Sequence, residues 1–75
     1  MAVTESQELA RLTINLTPRA AAALTLAANI TGENRTDTVN RALQFYAYAE
    51  QVISAGGTVL VREPGTDELT VVKFM

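Results

Sequence analysis

Residues 11–19 read RLTINLTPR, and this stretch limits the possible folds more than any other. Leu12, Ile14 and Leu16 alternate with Arg11, Thr13, Asn15 and Thr17, the period of a half-buried strand. The alternation stops at Thr17-Pro18, which reads as a helix N-cap followed by a first-turn proline. One short strand therefore runs directly into a helix. A strand this short cannot stand in water unpaired. Its partner must be the C-terminal part of the same chain or the same strand of a second copy.

The following residues predict two helices. The first covers about residues 18–30, through an alanine-rich run of high helix propensity. Its buried stripe, Ala20, Ala21, Leu24, Ala27 and Ala28, is small enough to let another helix approach closely. Thr31-Gly32 ends it, with Gly32 suited to a left-handed C-terminal position. Asn34 then caps a second helix, with Asp37 three residues on, and this helix runs to about Ser54 before Ala55-Gly56-Gly57. Its apolar residues form a main stripe (Val39, Ala42, Leu43, Tyr46, Ile53) and a flanking stripe (Phe45, Ala49, Val52). A face this broad has to cover two things.

The tail changes period. Two β-branched runs flank Pro64-Gly65 and predict a hairpin with strands at about 58–62 and 68–73. Pairing Arg62 with Glu68 sets Val61 opposite Leu69 and Val59 opposite Val71, giving one apolar face. Such a hairpin is expected to be a lid on Phe45, Ala49 and Val52. The chain thus divides into an arm (1–10), a strand–helix–helix core (11–54) and a hairpin extension (55–75).

With 75 residues and 48% hydrophobic composition, the chain carries more apolar surface than one small domain easily hides, so self-association is expected. The absence of cysteine and histidine removes disulfides and a zinc site, and no cofactor is expected. No Gly-rich phosphate loop occurs and Lys73 is the only lysine, so an enzyme is not expected. No apolar run approaches a membrane span, and the acidic, polar start MAVTESQEL does not resemble a signal peptide, which points to the cytoplasm.

The net charge of −2 argues against a nucleic-acid binder when taken whole. Placement changes that. Glu5, Glu8, Glu50, Glu63, Asp67 and Glu68 lie outside residues 11–40, which hold three arginines against Glu33 and Asp37. If the first strand pairs with its copy about a two-fold axis, Arg11, Thr13 and Asn15 stand in two copies on a narrow ribbon. A two-stranded ribbon fits the major groove of B-DNA. There arginine reads guanine, asparagine reads adenine, and threonine offers a hydroxyl or a methyl.

The strand RLTINLT, the start at Thr17-Pro18 and the segment TGENRTDTVNRALQFY resemble the ribbon-helix-helix family of DNA-binding repressors, the MetJ and Arc type, over about residues 11–53. The resemblance implies an α+β, mainly helical, intertwined homodimer acting on double-stranded DNA as a transcriptional regulator. It implies base contacts from Arg11, Thr13 and Asn15. Phosphate contacts come from the second-helix N-terminus at Asn34, Arg35 and Thr36, in keeping with the affinity of helix N-termini for anions. Leu12, Ile14, Leu16, Leu24, Val39, Leu43 and Tyr46 would form the dimer core. Arg41 reads as a solvated helix residue. Two features depart from the family pattern: the hairpin is extra, and the chain is acidic, with Glu33 and Asp37 beside the phosphate site. They bring in tandem dimers on DNA and an alternative role as an antitoxin or other interaction module whose hairpin binds a partner protein.

Overall fold

Thr17 starts the first helix as its sequence predicts. In the computed structural model, which describes residues 10–74, the Ala20 N–H donates to Thr17 Oγ1 at 3.1 Å. Pro18 occupies the first turn, where its missing N–H costs nothing. Helix α1 runs Pro18–Thr31 and closes at Gly32, whose φ of +78° is left-handed and whose N–H donates to the Ala28 carbonyl at 2.8 Å. Asn34 Oδ1 accepts the Asp37 N–H at 2.8 Å and opens α2, Arg35–Ser54. A cap of this kind contributes about 1 kcal/mol. Three residues separate the helices, so they fold back on each other.

They meet through small residues. Ala21, Leu24, Ala27 and Ala28 of α1 are half-buried, as is Val39 of α2. Thr38 is 7% exposed, and its hydroxyl donates to the Asn34 carbonyl at 2.8 Å, so no polar group is stranded at that buried point. Among the described residues the only fully enclosed apolar side chain is Ala49, at 0%.

Strand β1 (Leu60–Arg62) pairs antiparallel with β2 (Leu69–Val71). The strands are shorter than the expected spans, and the register is displaced by one residue. Leu60 faces Val71, Val61 faces Thr70 and Arg62 faces Leu69. The loop accommodates this register. The Glu68 N–H donates to Thr66 Oγ1 at 3.0 Å, which holds Glu68 in the turn and out of the ladder. A one-residue slip moves each side chain of one strand to the other face relative to its partner. The expected single apolar face is therefore replaced by two mixed ones. Leu60, Leu69 and Val71 share a face with Arg62, while Val59, Val61 and Val72 share the other with Thr70.

The hairpin also sits differently from the expected lid. Phe45 remains exposed. Phe74 instead meets Tyr46, of the main stripe, edge to face with ring centroids 5.0 Å apart. The Tyr46 hydroxyl titrates above its ordinary value of 10.0, held up by hydrogen bonding to the Glu50 carboxylate and by that group's negative charge. At the hairpin root Gly57 is pressed against Val52: a Cβ there would lie 2.8 Å from Val52 Cγ1 and 3.0 Å from its carbonyl oxygen. The expected arm falls almost wholly outside the described residues.

The expected first strand is absent as a strand: residues 11–17 belong to neither helix nor sheet. β1 and β2 pair with each other and do not extend to it, so these residues have no ladder to join among the described residues. Leu12, Ile14, Leu16, Leu43 and Phe45 are all left exposed.

Candidate nucleic-acid interface

Two elements frame one open groove. Residues 10–16 form one wall and the first half of α2 the other, enclosing about 610 Å³. Leu12, Ile14 and Leu16 face Val39 and Leu43 across it, so five of the seven expected dimer-core residues line the groove. Leu12 is 71% exposed, and Ile14, Leu16 and Leu43 are exposed with it. The other two expected core residues lie elsewhere: Leu24 is half-buried on α1, and Tyr46 carries Phe74.

At one end of the groove stand Arg35 and Thr36, the first two residues of α2. Their N–H groups have no carbonyl partner within the helix, because a helix begins with unpaired donors. Asn34 spends its side chain on Asp37. Thr36 is fixed from the other side, its carbonyl accepting from Asn40 Nδ2 at 2.8 Å. The Arg35 guanidinium leans toward α1, with Nη2 3.5 Å from Thr25 Oγ1, a long and weak contact that leaves it exposed.

Thr13 also lines the groove, whereas Arg11 and Asn15 are exposed and off its wall. The three expected base readers are therefore not gathered on one face of this unpaired segment. A strand ladder would impose that segregation through its pleat, and residues 11–17 have none.

Sequence reasoning missed one feature of the site. Arg41 is a solvated helix residue as expected, 72% exposed, and its Nε also lies 3.2 Å from Glu33 Oε2 in an ion pair. Glu33 Oε1 is shut off from solvent and meets no hydrogen-bond donor among the described residues. Glu33 precedes the helix, so the pair has no i,i+4 spacing by which to be recognised. Among the described residues no three His, Cys, Asp or Glu side chains cluster to hold a metal, and no helix is long and apolar enough to cross a membrane. No family model, curated protein or solved structure matches this chain.

Proposed function

We propose that this chain is a sequence-specific double-stranded DNA-binding protein of the ribbon-helix-helix kind, acting as a dimeric transcriptional regulator. Residues 11–17 pair with the same residues of a second copy as an antiparallel ribbon. Leu12, Ile14 and Leu16 turn inward, and Arg11, Thr13 and Asn15 enter the major groove. Pairing supplies the pleat that separates the two faces. The N–H groups of Arg35 and Thr36 and the Arg35 side chain hold a phosphate, with the Asn34 cap fixing the helix end.

The observation that carries this reading is the open groove. An amphipathic extended segment stands over α2 with its apolar residues exposed, and the N-terminal residues Arg35 and Thr36 of α2 line the same groove. The test is enrichment from a random duplex pool followed by titration of the enriched duplex and a scrambled one. Preference for the enriched duplex by a dimer is the expected result; equal affinity for both would remove the reading.

A specific observation also favours a protein-binding role for the tail, as in an antitoxin. The register leaves Leu60, Leu69 and Val71 exposed on one hairpin face and Val61 exposed on the other. The acidic residues Glu63, Asp67 and Glu68 near its tip repel phosphate and suit a basic protein surface. Deletion of residues 58–75 should abolish partner capture while a surviving dimer keeps its DNA preference.

A further inference from the structure

The proposed phosphate site has a built-in competitor. Glu33 lies immediately before the Asn34 cap, so its flexible side chain can reach the unpaired N–H groups of Arg35 and Thr36. A carboxylate there would satisfy the same donors as a phosphate and gain from the same helix-end potential. The structure shows it elsewhere. Its Oε2 is held at 3.2 Å by Arg41 Nε, and its Oε1 is packed out of solvent.

Arg41 stands six residues beyond the first residue of α2, about 9 Å along the axis, and the carboxylate it pairs with accepts no hydrogen bond from the Arg35 or Thr36 N–H. The inward pose of Oε1 is costly for a charged group with no donor at that atom. The ion pair offsets that cost. Without it, no hydrogen bond among the described residues holds the carboxylate, and the unpaired N–H groups of the adjacent helix end can take it.

From this we infer that Arg41 is a positioning residue for the DNA site: it acts through Glu33, holding an internal carboxylate off the N-terminus of α2 so that a backbone phosphate can occupy it. The inference rests on the DNA-binding reading above. It assigns Arg41 a role distinct from that of Arg35, which meets phosphate itself. Asp37 is unaltered in every variant considered and so does not enter the comparison.

The experiment is a double-mutant cycle on the full chain, titrating the duplex enriched from the random pool at low and high salt. Arg41→Ala should weaken binding about fivefold at low salt, the upper range for an exposed pair, and by less at high salt. In a Glu33→Gln background the same change should have almost no effect, and Arg41→Lys should restore most of the affinity. If Arg41→Ala costs the same in both backgrounds, Arg41 touches DNA directly and the inference is overturned. It is equally overturned if Arg41→Ala costs nothing. Should Arg41→Ala fail to fold, as monitored by helical circular dichroism, Glu33→Gln/Arg41→Ala carries no stranded carboxylate. Its affinity against Glu33→Gln alone then decides: equality supports the inference and a fivefold deficit ends it. A wild type that binds no duplex would remove the DNA reading itself, a result distinguishable from all of these.

Discussion

Residues 11–17 and the C-terminal hairpin are both written in the two-residue period of a strand, yet only the hairpin forms one. The first segment has the cleaner alternation, with three apolar residues on one side and four polar ones on the other. The hairpin is less regular and carries apolar residues on both faces. Alternation specifies which side chains share a face; it does not supply the hydrogen-bonding partner. The tail finds its partner across the loop at Pro64-Gly65. The first segment leads into a helix, and no other described residue offers it an edge.

The sharpest way to break this comparison is to attack the apolar side of residues 11–17. Leu16→Ala should cost about 2–5 kcal/mol of dimer stability, enough to unfold a marginal assembly. Sedimentation and thermal melting check it. A folded wild-type monomer at micromolar concentration would show that the segment has no need of a second copy.

The polar side should respond more modestly and in two distinct ways. Asn15→Ala should cost about 1–3 kcal/mol and relax preference at one base position. Arg35→Ala should weaken all duplexes alike and lower the salt slope by about 1 per contact removed. Titrations at two salt concentrations separate them, and two mutants that both behave like wild type would leave the polar side an ordinary solvated face.

At the hairpin, the root and the loop give smaller effects. Gly57→Ala should destabilise by about 1–2 kcal/mol in thermal unfolding, because the added methyl meets Val52 Cγ1 and its carbonyl oxygen. Thr66→Ala should cost about 0.5–1 kcal/mol and speed amide exchange at Glu68, whose N–H loses its acceptor. Unchanged exchange there would mean that something other than the Thr66 hydroxyl sets the register.

The sequence by itself determined the helices. Thr17, Gly32 and Asn34 act within a few residues of where they stand, and both helix starts and the first helix end fall where these residues place them. The hairpin was legible for a similar reason, since Pro64-Gly65 is a local turn signal. Its register was not. It goes with a hydrogen bond inside the loop that the residue types do not announce, and a change of one residue exchanges the faces. The groove was half legible. The apolar residues could be named from their spacing, but their convergence with Arg35 and Thr36 depends on how the chain turns at Thr17 and again at Gly32. Glu33 and Arg41 were visible only as two separate charges. Their pairing was decided by tertiary structure, because a residue outside a helix obeys no helical spacing and meets its partner only where the turn delivers it.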